Sequence, residues 1–182
     1  SWHFNEGNGD NINDESGNNI ESNVEGNVEW DKNEDWNLAS DGASSFRFDG
    51  QTLIAVPSEE KIVQPEDAIT VEAWVFPESL DGWKLILTHW GGAVVGSYHL
   101  GVEAGIPKFH INTGQGTAFA AAVEQLNLQE WQHVAGTYDS NTIRLFINGE
   151  QVGETGHGGK LKSGDPDFDV IIGSKDTREF NW

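Results

Sequence analysis

The chain has 182 residues, 36% of them hydrophobic, with 22 Gly, 8 Trp, 9 Phe, no Cys and a formal net charge of −20. This length predicts one domain spanning residues 1–182, and the glycine and aromatic content predicts an all-β fold. The charge argues against nucleic acid as a partner because phosphate repels an acidic surface, and the lack of Cys excludes disulfides and thiolate metal sites.

The N-terminal part of the chain, residues 1–41, is rich in Asn, Gly, Asp and Glu, with apolar side chains at intervals that predict short strands between long loops. The first fifty residues contain twelve acidic and two basic side chains. Two interpretations of this charge stay open, namely cation binding and simple solubility. Since the chain starts at Ser1 without Met, it is expected to be part of a longer precursor. It has no apolar run of about 18 residues, so no membrane insertion is predicted.

The segment "SSFRFDG" predicts a strand, with Asp49-Gly50 as a hairpin turn into a second strand at "TLIAVP". The next strand, "ITVEAWVF", has apolar residues on both of its faces, including Trp74 and Phe76 on the side that also carries Glu72. A strand that is apolar on both faces is typical of a central position, so we predict one here. Four further strands, "WKLILTHW", "SYHLGVEAG", "PKFHINTG" and "TAFAAAV", follow at spacings typical of a sandwich or barrel.

The segment "TYDSNTIRLFINGEQVGE" contains two turn signals. Asn148-Gly149 suits a type I′ turn, in which both central residues have positive φ. The residues "DSNT" before it are turn formers, and apolar residues alternate between the two turns. Three antiparallel strands are therefore predicted, followed by a last strand at "FDVIIGS".

These segments, with "FNEGNGDNINDESGNN", "AITVEAWVFP" and "VIIGS", together resemble the laminin-G-like jelly roll of the concanavalin A-like lectin and glucanase superfamily. The resemblance implies an antiparallel two-sheet jelly-roll sandwich. Relatives continue into a final strand with a Gly-x-Ile-Asp-Glu-Val-like run, whereas this chain stops at "KDTREFNW". The last strand is therefore predicted to be lacking, so that either the chain is a fragment or another chain or segment completes the sheet.

Calcium is the predicted cofactor, because "NEGNGDNINDESGN" concentrates the carboxylate and amide oxygens that this ion prefers. The spacing is not that of an EF-hand. The resemblance implies a structural calcium bound by Glu6, Gly7 and Asp14, with a further Asp ligand beyond Trp182. The alternative is that these residues only form turns in which Asx side chains bond to the backbone.

A sugar-binding surface is predicted from rings near strand ends and from polar residues that share strand faces. Trp83, Trp90 and Tyr98 lie beside Gly or Asp at strand ends, although core packing is the commoner fate of each ring. By strand alternation, His99 and Glu103 share one face of their strand. Lys108, His110 and Asn112 share one face of the next strand. If these faces coincide, they form a polar strip.

No catalytic motif was found. The chain has no E-x-D-x-x-E run, no G-x-S-x-G motif and no lyase strand signature, and its six His residues lack zinc-site spacing. The leading hypothesis is therefore a non-catalytic, lectin-like carbohydrate-binding module of a larger secreted or cell-surface protein, stabilised by calcium. Its predicted ligand residues are Trp83, Trp90, Tyr98, His99, His110 and Asn112. The alternatives are a protein-binding adhesion or architectural module, and a polysaccharide lyase or glycosidase with an unfamiliar site.

Overall fold

The computed structural model describes residues 1–31, 44–57, 65–91, 95–163 and 169–173. These residues form thirteen strands. The strands are β1 (Asn23–Glu25), β2 (Glu29–Asp31), β3 (Ser45–Arg47), β4 (Leu53–Val56), β5 (Ile69–Val75), β6 (Trp83–Gly91), β7 (Val95–Glu103), β8 (Ile106–Thr113), β9 (Gly116–Ala121), β10 (Gln132–Tyr138), β11 (Thr142–Ile147), β12 (Glu150–Gly156) and β13 (Val170–Ile172). The all-β prediction is confirmed. No helix with the length and apolar character of a membrane span occurs in these residues.

The strands form a seven-stranded sheet, a four-stranded sheet and a small two-stranded sheet. The strand order is β1-β4-β13-β6-β7-β8-β9 in the large sheet and β12-β11-β10-β5 in the second sheet, while β2 pairs with β3. Inward-facing side chains of β7 and β8, such as Leu100 and Phe109, pack with Val134, Ile143 and Leu145 of the second sheet in one buried cluster. Apolar side chains thus fill the space between the layers, and the two-sheet sandwich is confirmed.

A second buried cluster packs the N-terminal residues against the large sheet. Ile12 and Ile20 are buried with Ile54 of β4 and Val170 of β13. Strand β1 extends the large sheet by pairing with β4. Residues 1–31 are therefore structured around their widely spaced apolar residues, and the prediction of short strands between long loops is confirmed for them. Residues 32–41, to which the prediction also applies, lie outside the described part of the chain.

The three-stranded meander is confirmed as β10, β11 and β12, which pair antiparallel in chain order. Asn148 and Gly149 have φ values of 51° and 82°. Both values are positive, as a type I′ turn requires. At the other turn, a carboxylate oxygen of Asp139 accepts hydrogen bonds from the backbone N–H groups of Asn141 and Thr142. Local turn chemistry therefore sets the register of these three strands.

The hairpin predicted at Asp49-Gly50 is wrong, because β3 and β4 do not pair with each other. Strand β3 pairs with β2, whereas β4 lies between β1 and β13 in the large sheet. The Asp49 carboxylate accepts hydrogen bonds from the N–H groups of Gln51 and Thr52 and from the Thr52 hydroxyl. The turn residues are thus used as expected, but they carry the chain from the small sheet to the large one.

The predicted central position of β5 is also corrected. Among the described residues β5 pairs only with β10, at the edge of the four-stranded sheet. The side chain of Trp74 on its outer face is 54% exposed. The apolar residues of that face therefore form a surface, and no second layer built from the described residues covers them. The prediction of a missing final strand concerns the chain after β13, which lies outside the described residues and stays a prediction.

Candidate functional site

Five rings lie on the outer face of the large sheet, and we call them the ring row. They are Trp83, Trp90, His99, His110 and Phe119. His110 of β8 lies directly opposite His99 of β7 on one side and Phe119 of β9 on the other. Successive side chains of a strand point to opposite faces, and the chain neighbours of both imidazoles face the core. The ring row therefore projects away from the second sheet.

The rings of the row touch one another across four strands. The ring centroids of His99 and His110 are 4.1 Å apart in a stacked arrangement, and His110 stacks on Phe119 at 4.8 Å. Trp83 packs edge-on against both imidazoles, at 5.5 Å and 5.8 Å. Trp90 lies 5.2 Å from His99. Ring pairs with these spacings stabilise each other beyond simple area burial, so the row is a rigid surface.

Both imidazoles of the row are held in the neutral form. Burial lowers the pKa of His99 to about 3, and the neighbouring His110 adds to this effect. Burial and the charge of Lys108 lower the pKa of His110 to about 4, against an opposing effect of Glu103. The Nε2 atom of each ring is buried and has no hydrogen-bond partner. Two nitrogen atoms beneath the outer rings are therefore left with unused hydrogen-bonding capacity.

Two exposed rings and an ion pair lie on the accessible part of the face. Trp83 is 38% exposed and Phe119 is 45% exposed. Glu103, which lies opposite Trp83 in register, forms an ion pair with Lys108. The Lys108 ammonium lies 5.2 Å from the centre of the Phe119 ring, within the range of a cation–π contact. The two predicted polar faces thus coincide, and apolar rings flank them.

Two of the residues predicted for this site have other roles. Tyr98 is 3% exposed and belongs to the core between the sheets. Because it directly precedes His99 in the strand, it must face the opposite side of the sheet. Asn112 is buried, and its amide donates a 2.9 Å hydrogen bond to the carbonyl of Gly96. That bond ties β8 to β7, so neither side chain is available to a ligand on the outer face.

Phe119 belongs to the site, although the sequence analysis did not select it. The sequence contained a pattern that predicts this position. A tight turn at Gly114–Gly116 joins β8 to β9, and counting residues back from this turn along both strands places Phe119 opposite His110. Trp90 is placed by a different constraint. A Cβ atom at Gly96 would lie 2.1 Å from the Trp90 ring. Position 96 must therefore be Gly for the Trp90 ring to pack against β7.

The predicted calcium ligands fit this ion only in part. The Asp14 carboxylate accepts hydrogen bonds from the N-terminal ammonium, from the N–H and hydroxyl of Ser16, and from the N–H of Ile20. Burial opposes its ionisation, but these bonds outweigh burial and hold the pKa of Asp14 well below its usual value. Both carboxylate oxygens of Asp14 therefore already accept hydrogen bonds within the protein. The bond from the Ser16 N–H forms an Asx turn, which is the alternative to calcium binding that the sequence left open.

Glu6 has the oxygen that a cation could use. Its Oε1 atom accepts a 2.8 Å hydrogen bond from the N–H of Asn13, while its Oε2 atom is buried without a hydrogen-bond partner. Gly7, the next residue, is buried. In the described part of the chain, no three His, Cys, Asp or Glu side chains gather closely enough to bind a metal by themselves. A calcium ion here would therefore depend on Glu6 together with carbonyl oxygens.

Comparison with known proteins gives a family and a fold. A family model of the laminin G type, described as the concanavalin A-like lectin/glucanases superfamily, matches residues 48–181. No curated protein matches the chain. The crystal structure of the botulinum neurotoxin serotype D binding domain is similar, with a TM-score of 0.67 and 17% identity over 94% of this chain and 42% of that chain. The binding domain of Paraclostridial Mosquitocidal Protein 1 is similar with a TM-score of 0.63 and 14% identity, over 94% of this chain and 47% of that one.

A structure of botulinum neurotoxin type C is also similar, with a TM-score of 0.63 and 14% identity over 97% of this chain and 44% of that chain. The chain thus spans less than half the length of each of these structures. At such identities the likeness shows the fold, which hosts many functions. The match to the family model shows the family as well as the fold, because it runs from the turn after β3 past β13 and covers most of the sequence. The chain belongs to the concanavalin A-like lectin/glucanases superfamily, in its laminin-G-like branch.

Proposed function

We propose that this domain is a non-catalytic carbohydrate-binding module that holds a short oligosaccharide across the ring row. The observation that carries this proposal is the pair of exposed rings, Trp83 and Phe119, on either side of the Glu103–Lys108 ion pair. A pyranose has an apolar C–H face and a rim of hydroxyl groups. The two aromatic rings offer apolar surface to the C–H face of the sugar, and the charged pair offers hydrogen bonds to its hydroxyl groups.

The dimensions of the face suit such a ligand. Trp83 lies on β6 and Phe119 on β9, so their backbone positions are separated by three strand spacings, or roughly 14 Å at ~4.8 Å each. The rings themselves are closer together, because both contact the His110 ring, at centroid distances of 5.8 Å and 4.8 Å. Both are attached to a hydrogen-bonded sheet and supported by the stacked imidazoles beneath them. Binding therefore requires little ordering of side chains, which lowers the entropic cost of association.

The charge of the protein favours a neutral sugar. The net charge of −20 repels polyuronates and other anionic glycans. Lys108 does not offset this, because its ammonium is already paired with Glu103. We therefore propose neutral hexose-containing glycans as ligands, bound as part of a larger secreted or cell-surface protein.

Two features support a binding role over catalysis. Strands β6–β9, which form the face, contain a single acidic residue, Glu103. Retaining and inverting glycosidases both use two carboxyl groups across the scissile bond. Similar structures are binding domains, and cell entry of botulinum neurotoxin type C is described as dependent on interaction with two ganglioside molecules. That interaction belongs to the toxin, and the shared fold supports only the general role of binding.

The proposal is tested by glycan-array screening and affinity electrophoresis on neutral polysaccharides, followed by calorimetry on the best ligand. Trp83→Ala and Phe119→Ala should each weaken binding about tenfold or more, equivalent to ~1.4 kcal/mol. Leu128→Ala is the matched control, because Leu128 is an exposed apolar residue outside the ring row. The proposal is contradicted if the domain binds no neutral glycan. It is also contradicted if neither Trp83→Ala nor Phe119→Ala reduces the affinity.

We also propose that calcium stabilises the domain through Glu6, whose buried Oε2 atom lacks a protein partner. An ion that binds only the folded state at 100 times its dissociation constant raises stability by about 2.7 kcal/mol. Added calcium should therefore raise the melting temperature and a chelator should lower it. Glu6→Gln should abolish the response, whereas Glu21→Gln, at an exposed position nearby, should retain it. A melting temperature insensitive to both calcium and chelator would refute this part.

A further inference from the structure

A second set of exposed rings lies on the outer face of the four-stranded sheet. We call it the Trp74 face, and it consists of Glu72, Trp74, Phe76, Trp131 and His133. Trp74 is 54% exposed and Phe76 is 39% exposed. Trp74 lies opposite His133 in register, with ring centroids 5.4 Å apart, and Phe76 lies 5.6 Å from Trp131. The ring row belongs to the other sheet, so these are two separate surfaces.

Polar groups lie directly beside the most exposed ring of this face. The Glu72 carboxylate is 3.4 Å from Nε2 of His133, and its side chain is 62% exposed. The backbone of His133 is fixed by two hydrogen bonds with Asn148, one from each residue's N–H group. An exposed indole therefore stands on a paired strand, next to a carboxylate and an imidazole that lie 3.4 Å apart.

We propose that the Trp74 face is a second saccharide-binding site, in which one neutral pyranose stacks on Trp74 and bonds its hydroxyls to Glu72 and His133. A hydroxyl can donate to the carboxylate and exchange hydrogen bonds with the imidazole. An apolar side chain from a protein partner would bury the same two groups without replacing their hydrogen bonds, at a cost in desolvation. The polar rim of this platform therefore selects a polyhydroxylated ligand.

This inference extends the proposed function to a second surface, but it does not require the ring row to bind. If both sites act, one domain can hold two glycan chains on opposite sides. Such a bivalent domain crosslinks a branched polysaccharide, and the crosslinks strengthen overall retention without any new contact. Precipitation of a branched neutral polysaccharide by the wild-type domain is then lost on replacing either Trp74 or Trp83.

The decisive experiment is nuclear magnetic resonance of the indole N–H groups, of which the chain has 8. Trp74→Phe and Trp83→Phe assign the two relevant signals by their disappearance. The probes are maltotriose, cellotriose, mannotriose and N-acetylchitotriose. At least one probe should shift the Trp74 signal in a saturable manner, and Glu72→Gln should weaken that response about tenfold. Glu150→Gln, at an exposed position on β12, should leave it unchanged.

The outcomes separate this inference from the proposed function. A shift of the Trp74 signal supports the second site whether or not the Trp83 signal moves. A shift of the Trp83 signal alone overturns the second site and leaves the ring row intact, while no shift of either signal overturns both. If the Trp74 signal moves with protein concentration alone, the face joins two copies of the chain and the saccharide site is refuted.

Discussion

The stacked imidazoles of the ring row make the free energy of unfolding depend on pH. An unfolded His has a pKa of about 6.5. In the folded protein, burial lowers the pKa to about 3 for His99 and about 4 for His110. Between about pH 6.5 and pH 4, the unfolded chain therefore takes up protons that the folded protein does not. Stability is fully present above the unfolded pKa and is lost as the pH falls toward the folded values.

The expected magnitude follows from the size of this pH interval. Each pH unit below about 6.5 costs about 1.4 kcal/mol per imidazole that stays neutral in the folded state. At about pH 5 the cost is about 2 kcal/mol per residue, and about 4 kcal/mol for His99 and His110 together. Because the two rings stack at 4.1 Å, neither can be protonated without raising the cost for the other.

Urea unfolding at about pH 7.5 and about pH 5 measures this loss, because both conditions keep the folded imidazoles neutral. The double variant His99→Gln/His110→Gln cannot titrate at these positions, so its loss of stability should be smaller than that of the wild type by about 4 kcal/mol. His3→Gln, which changes an exposed ring, is the matched control. The reasoning is refuted if wild type and double variant lose equal stability, or if the His99 and His110 resonances titrate near pH 6.5.

Three further substitutions test the packing and turns. Gly136→Ala would place a Cβ atom 2.2 Å from the ring of buried Phe109, so it should lower the free energy of unfolding, measured by thermal denaturation, by about 1–3 kcal/mol. Gly114→Ala is the control and should be near neutral, because a Cβ atom there has no heavy atom within 4 Å. Equal effects of the two variants would contradict the packing argument. Gly149→Ala places a Cβ at a φ of 82° and should lower the urea midpoint by the equivalent of about 1 kcal/mol, and an unchanged midpoint would speak against this turn geometry. Asp49→Ala removes the acceptor of three hydrogen bonds and should lower the urea midpoint, while Asp49→Asn, which keeps an acceptor oxygen, should lower it less; equal midpoints for both variants would contradict this role of the carboxylate.

The parts of the fold that follow from local chemistry could be predicted from the sequence. The meander of β10, β11 and β12 is joined by short turns, and Asn148-Gly149 fixes both the turn type and the register of the strands beside it. The turn at Asp49 forms through equally local hydrogen bonds. The turn does not specify the strand partners, however, because β3 pairs with the preceding strand β2, while β4 pairs with β1 and with β13 near the other end of the chain. A turn dipeptide thus predicts a change of direction, but long-range packing decides which strands pair.

The candidate site was partly predictable for a related reason. Alternation correctly places His99 with Glu103, and His110 with Lys108, because the period of a strand is fixed by its geometry. The same rule excludes Tyr98, which immediately precedes His99, so the two could not share a face. Tyr98 was predicted as a ligand residue from its ring and its position near Gly, without regard to the face of the strand on which it lies. A consistent application of alternation across β7, β8 and β9 would have given His99, His110 and Phe119. Trp83 and Trp90 of β6 are seven residues apart, and they share this face because the pairing of β6 with β7 shifts register twice, which alternation does not predict.

The exposed rings and the acidic composition are connected through solubility. A soluble domain with exposed Trp74, Phe76, Trp83 and Phe119 presents apolar patches that favour self-association. A net charge of −20 opposes the approach of a second copy, while a neutral molecule meets no such repulsion. The charge therefore opposes self-association through the two ring surfaces.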